Sequence, residues 1–497
     1  MSTNNTKQAT WIAIGSFFSY VVGIVSPMIL SRFFDKGDYG TYRQVMYVYN
    51  TLLIVFTFGL PRAYSYFIPK QEIEQSWSII SKLNRLFLLL GGIFSLSLFV
   101  FAEPISKALN NEELVVALRY FSPVPVLLLP TMGLEGIFAS FKKTEFLALF
   151  TITTRVLTIA CTIIPVVCFS GSYIEAIIGF DFAALITCIF AFVLMKLPLK
   201  GVQTKPTDIS YRQVFYFALP LLFASLWGMI IESAPQYFIG HYYGTEVFAD
   251  FSNGFFRIPF VGMVISAIAA ILLPEFSRID QGNGMGEEAS KIWMSSIIKS
   301  AKIIFPMLVY GVFFPKLIMT CMYGDIYESS SIYFIVKNVS GLFFILPFAP
   351  IMIAIGKTKK YAMLHFVTAI GIVVLEIIAV NVINTPVAVA IVSEICQVVF
   401  VFLMMHAISQ CLNKNVWSLI PIKDLSIILT ATIIAGFLTW CLCELFSLNK
   451  FIMLGVSLLF FVIIYYVLCW IMRISYKEIF ASYLGNSKMS ALRRFIP

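Results

Sequence analysis

Long apolar runs follow one another from near the start of this 497-residue chain almost to its end. Each holds roughly twenty residues, enough to cross a hydrocarbon core about 30 Å thick as a helix. Charged residues make up only 12% of the chain, whereas a soluble domain carries about 25%. Too little polar surface remains to cover a water-facing globule, and the chain is therefore expected to be a polytopic α-helical membrane protein. The first run, "WIAIGSFFSYVVGIVSPMIL", is too long for the core of a signal peptide; only Lys7 precedes it and no A-x-A-like site follows, so it is expected to stay as a first helix.

Between their polar breaks the runs give about fourteen segments, at 9–30, 42–60, 84–102, 117–140, 149–169, 175–195, 214–233, 251–273, 303–322, 331–354, 362–383, 386–407, 425–444 and 451–472. With the N-terminus inside and the sides alternating, 26 of the 35 basic residues fall on the inner side, Arg155 counted among them, and 6 on the outer side. That asymmetry is what the positive-inside rule demands of short loops, and it predicts cytoplasmic N- and C-termini. The net charge of +9 then reflects topology and not nucleic-acid binding. The outer connections are too small to hold a domain, and the longest polar connection, 274–302, reads as a glycine-rich linker followed by an interfacial helix. The nine cysteines lie mostly in apolar runs, and His241, His365 and His406 are scattered, so no metal site is expected.

One corner occurs twice. "SRFFDKGDYGTY" (31–42) joins segments 1 and 2, and "GHYYGTEVFADF" (240–251) joins segments 7 and 8. Phe33–Phe34 and Tyr242–Tyr243 open the two corners, and Tyr39 and Tyr42 match Phe248 and Phe251 in register. Each following segment ends in a Leu-Pro exit, "FGLPRAYS" or "AILLPEFS". Six segments separate the corners, which implies a parallel duplication about an axis along the membrane normal.

Two six-helix lobes followed by two terminal helices resemble the multidrug/oligosaccharidyl-lipid/polysaccharide exporter superfamily. Within it, "GSFFSYVVGIVSPMILSRFFDKGDYGTYRQ" and "LPRAYSYFIPK" resemble the Wzx-type polysaccharide flippases, with Leu30 and Arg32 ending the first helix and Asp38-Tyr39-Gly40-Thr41-Tyr42 as the corner. The resemblance implies an all-α integral membrane protein with two lobes, 1–200 and 201–410, around a central cavity lined by segments 1, 2, 7 and 8. Helices within 411–472 and a basic tail at 473–497 complete the chain. It also implies a transporter, not an enzyme, in the bacterial cytoplasmic membrane. The cargo would be an undecaprenyl-diphosphate-linked oligosaccharide, with membrane lipids and polysaccharide polymerase machinery as partners.

Charges inside segments are expensive where they face lipid, so they mark cavities or partners. Arg43, Arg257, Lys316 and Lys337 all lie toward the outer half. Long basic side chains near helix ends can snorkel to the interface; alternatively, these four bind the anionic diphosphate, and the resemblance favours Arg43 and Arg257. Among the intramembrane acids, Glu135, Asp181, Glu232, Glu376 and Glu394, the last three are candidates for a coupling site for Na⁺ or H⁺, because related lipid II flippases hold a cation among segments 7, 11 and 12. The plain alternatives are neutral hydrogen-bonded acids or interhelical ion pairs. No other cofactor is expected, and no Walker lysine points to ATP. The competing functions are a drug or organic-cation exporter or a lipid II flippase of the same fold. A polysaccharide polymerase or ligase would need a large outer loop that this sequence lacks.

Overall fold

The computed structural model describes residues 2–279 and 285–477, so the start of the glycine-rich linker and most of the basic tail lie outside the described residues. Every regular element among them is helical. Among the described residues, eleven helical stretches are long and apolar enough to span a membrane, and two shorter apolar stretches, Phe17–Phe33 and Pro259–Ala269, occupy the places of segments 1 and 8. The protein is an all-α, multi-pass membrane protein. Its contacts divide it into two compact units, one ending at Ala249 and one starting at Asp250, so the seventh segment packs with the first unit.

The first unit opens with α1 (Ser2–Phe33), which runs along α9 (Thr144–Phe169). α2 (Lys36–Thr57) starts at the first corner, where the Asp35 side chain accepts the Asp38 amide and caps the helix. α3 (Pro61–Phe67) follows the Leu-Pro exit, with proline at the first turn where no amide hydrogen is missed. α4 (Ile73–Val100) and α5 (Ala102–Ala108) lead to the fourth segment, which is not one helix. It is broken into α6 (Leu114–Phe121), α7 (Val124–Leu128) and α8 (Leu134–Ser140), with Pro123, Pro125 and Pro130 at the breaks. α9 pairs with α10 (Tyr173–Met195), whose start is a capping box of Ser172 and Glu175. α11 (Tyr211–Gly254) bends at Gly244, whose φ of 81° is a conformation open to glycine and not to most residues.

The second unit begins at the end of α11 and continues with α12 (Pro259–Arg278). α13 (Met285–Phe313) starts well before residue 303, so the connection read as an interfacial helix is the first part of the ninth segment. α14 (Pro315–Tyr323) then leads to a second broken segment, α15 (Ser331–Gly341) and α16 (Ala349–Ala354), with an irregular stretch at 342–348. α17 (Thr358–Ile378) packs on α18 (Pro386–Leu412), and the terminal pair α19 (Ile422–Cys443) and α20 (Lys450–Ile471) packs on α13 and α14. Trp293, Phe305 and Met404 anchor the apolar core of this unit.

The repeat read from the corners reappears in burial. Tyr39, Tyr42, Phe248 and Phe251 are all buried, as are the polar residues in the same register, Thr41 with Asp250 and Gln44 with Asn253. Thr41 donates its hydroxyl to Glu113 Oε2 at 3.4 Å, just before α6; Asp250 Oδ1 accepts from Ser330 at 3.2 Å, just before α15. Hydroxyl and carboxylate have changed places between the two copies. The sixth and twelfth segments also match: a hydroxyl side chain caps each, Ser172 and Thr385, and an acid stands nine residues on, Asp181 and Glu394.

Candidate functional site

α15 stops at Gly341 and the chain over 342–348 is irregular; within a membrane such a break is tolerated only inside protein or beside a wet cavity. The last turns of α15 carry Lys337 and Ser340, at the helix end whose dipole favours a cation. Across from them, Glu394 on α18 accepts Lys337 Nζ on Oε1 at 2.6 Å and the Ser340 hydroxyl on Oε2. Gln397, one turn further along α18, donates Nε2 to the same Glu394 Oε1 at 3.1 Å. Its own Oε1 accepts Arg257 Nη2 at 3.0 Å.

Arg257 lies in the irregular stretch 255–258 that joins α11 to α12, and it is exposed. Its guanidinium stands 5.1 Å from the Phe344 ring centroid, and Lys337 Nζ stands 4.3 Å from that of Phe255. Each cation is therefore held against an aromatic face contributed by a stretch that is not helical. The side chains of Lys337 and Glu394 are only 5% and 4% exposed. A pair so deeply buried survives only if the remaining lone pairs are filled, and here Ser340 and Gln397 fill them. The result is a polar chain from a sealed ion pair to an accessible arginine, all within the second unit.

The other residues singled out from the sequence lie elsewhere. Lys316 pairs with Glu328 at 2.7 Å, both well exposed, and stands apart from this chain. Arg43 is half-buried on α2 and Glu232 is exposed on α11, both in the first unit. Glu376 is fully buried on α17, and among the described residues neither of its carboxyl oxygens has a hydrogen-bond partner. Of the seven residues, the structure joins Arg257, Lys337 and Glu394, which the sequence had divided between a cargo site and a coupling site. Ser340 and Gln397 are not among the candidates read from the sequence, although the three-residue spacing in "SEICQ" puts Glu394 and Gln397 on one helix face. Arg155 is counted there with the loop cations. The structure puts Arg155 inside α9, beside a cavity of about 330 Å³ that Tyr20, Glu135 and Thr151 also line.

A multi-pass helical protein with interrupted helices and a buried charge network has the build of a membrane transporter. The chain belongs to the polysaccharide biosynthesis protein family, whose model matches residues 6–280. It is similar to a Shigella flexneri protein described as an O-antigen transporter, with 19% identity over 373 residues, 72% of this chain and 87% of that one. Its fold matches the lipid II flippase MurJ in an inward closed conformation with a TM-score of 0.71 and 15% identity, over 95% of this chain and 99% of that one. It also matches an inward-facing multidrug resistance transporter of the MATE family, in the MOP superfamily, with a TM-score of 0.60 and 13% identity, over 81% and 95%. The superfamily expected from the repeated corner is therefore the fold observed.

Proposed function

We propose that the protein is a flippase that carries an undecaprenyl-diphosphate-linked oligosaccharide from the cytoplasmic to the outer leaflet of the bacterial inner membrane, for assembly of a cell-surface polysaccharide. Access to the cargo site alternates between the two sides as the two lobes move. The observation that carries this reading is the exposed Arg257, held by Gln397 on the buried Lys337–Glu394 ion pair. A diphosphate crossing a membrane needs cations already in position, because bare charge in low dielectric is costly. A guanidinium takes phosphate oxygens in its planar fork. An organic-cation exporter would gain nothing from such a group.

Arg43 supplies a second candidate cation on the first unit. Glu376, buried with no hydrogen bond to either carboxyl oxygen among the described residues, is the group best suited to take up a coupling H⁺ or Na⁺, since either ion would satisfy it. A lipid II flippase is the second reading, favoured by the fold match to MurJ across nearly all of both chains. Deletion of the gene in its host separates the two. The oligosaccharide reading expects loss of surface polysaccharide, with lipid-linked oligosaccharide accumulating while the cell wall is made normally. Arrested wall synthesis with intact surface polysaccharide would support the lipid II reading instead.

A further inference from the structure

One cleft in the first unit has no part in the charge network. It lies where the start of α4 meets the end of α10, encloses about 440 Å³, and is lined by Trp77, Lys196 and Lys200 together with apolar residues of both helices. Lys196 Nζ stands 5.7 Å from the centroid of the Trp77 ring. Two of the apolar lining side chains, Ile73 and Val193, are more than half exposed. The cleft's one acid, Glu74, is already paired with Lys205. Among the described residues no carboxylate pairs with Lys196 or Lys200, so the cleft keeps two uncompensated positive charges.

The cleft is also built before anything binds. The extended chain after α10 is pinned across the start of α4: the Lys205 amide donates to the Glu74 carbonyl at 2.9 Å, Gln75 Nε2 to the Pro206 carbonyl at 3.3 Å, and the Thr207 amide to Ser78 Oγ at 3.2 Å. Both helices that form it are membrane spans, and the cleft sits at their ends, where the bilayer has its headgroups. Lys70 precedes α4 and Lys82 stands in its third turn, and with Lys196 and Lys200 they give this end the positive charge expected of the cytoplasmic side.

We propose that this cleft binds one anionic phospholipid of the cytoplasmic leaflet. Lys196 and Lys200 take the phosphate-bearing headgroup, Trp77 stands at the level of the glycerol backbone, and the exposed Ile73 and Val193 lie along the acyl chains. Charge complementarity selects the ligand, because a zwitterionic headgroup would bring its own cation against two lysines.

The test uses the full-length protein in detergent with phosphatidylglycerol and phosphatidylcholine of the same chain length, counting retained lipids by native mass spectrometry. Wild type is expected to keep one phosphatidylglycerol in preference. In K196Q/K200Q that preference should fall about tenfold, the order expected for two interfacial lysines, while K142Q/K143Q, with the same charge change, keeps it. A second measurement needs no lysine variant: brominated phosphatidylglycerol should quench wild type more than Trp77→Phe, and brominated phosphatidylcholine should quench both alike. Equal retention of the two lipids by wild type, equal losses in the two double variants, or displacement of phosphatidylglycerol by a short-chain isoprenyl diphosphate would each overturn the proposal. The last outcome would assign the cleft to the transported lipid.

Discussion

Lys337 Nζ lies 2.6 Å from Glu394 Oε1, in a pair that joins the end of one interrupted helix to the middle of another and is almost sealed from solvent. Removing one member leaves a buried charge without its partner, which costs about 3–5 kcal/mol. Lys337→Met and Glu394→Gln are each expected to lower the melting temperature of the purified protein sharply. The double variant should recover much of the loss, since a neutral pair of similar volume no longer strands a charge. Losses that simply add would contradict this.

Gln397 is the link between Arg257 and the ion pair, through bonds of 3.0 and 3.1 Å. Gln397→Leu keeps the helix and removes both bonds. Only the bond to Arg257 positions the guanidinium for cargo, and at about 1 kcal/mol net its loss should raise half-saturation by a diphosphate-linked cargo roughly fivefold. Arg257→Lys should weaken cargo binding as well, because an ammonium lacks the planar fork. Titrating a labelled isoprenyl diphosphate against the three proteins checks both expectations.

Two adjacent glycines of α4 should behave oppositely. A Cβ on Gly91 would come within 2.9 Å of Val126 Cα and 3.0 Å of the Pro125 carbonyl, whereas one on Gly92 meets nothing within 4 Å. Gly91→Ala is expected to destabilise by about 1–3 kcal/mol through forced separation of α4 from the broken fourth segment. Gly92→Ala should be neutral, or stabilising by up to about 1 kcal/mol from helix propensity. Thermal unfolding of the two variants side by side decides it.

The motif "LPRAYSYFIPK" holds a buried contact, Tyr64 Oη donating to Asn84 Oδ1 at 2.5 Å. Tyr64→Phe leaves that amide oxygen without its donor and should cost about 1–3 kcal/mol. Adding Asn84→Leu should restore part of the stability, measurable as non-additivity in a double-mutant cycle.

The membrane class was legible because it rests on a local pattern, apolar run length, and the two corners were legible because their aromatic register recurs. Tyr39, Tyr42, Phe248 and Phe251 share one burial because they share one place in a repeated unit. The breaks in the fourth segment were not read, although Pro123, Pro125 and Pro130 stood in the sequence, because hydropathy counts a proline in an apolar run as no interruption; Pro347, by contrast, was read as a helix breaker. The joining of Lys337 to Glu394 was beyond reach for another reason. The two are 57 residues apart, and only the packing of α15 on α18 makes a cation and an acid one object. Arg155 was counted with the loop cations although the segment read as 149–169 already contained it, and the structure keeps it inside α9.

The most direct test of cargo and mechanism is translocation in sealed liposomes. Purified protein is reconstituted with a fluorescent polyprenyl-diphosphate sugar, and the label is followed as it becomes accessible to a quencher outside, for wild type and Arg257→Ala. The expected result is protein-dependent translocation that falls at least tenfold in the variant, in line with loss of a charged contact to phosphate. No translocation by wild type, together with ion-driven efflux of an organic cation that Arg257→Ala leaves unchanged, would contradict both the cargo and the role given to Arg257.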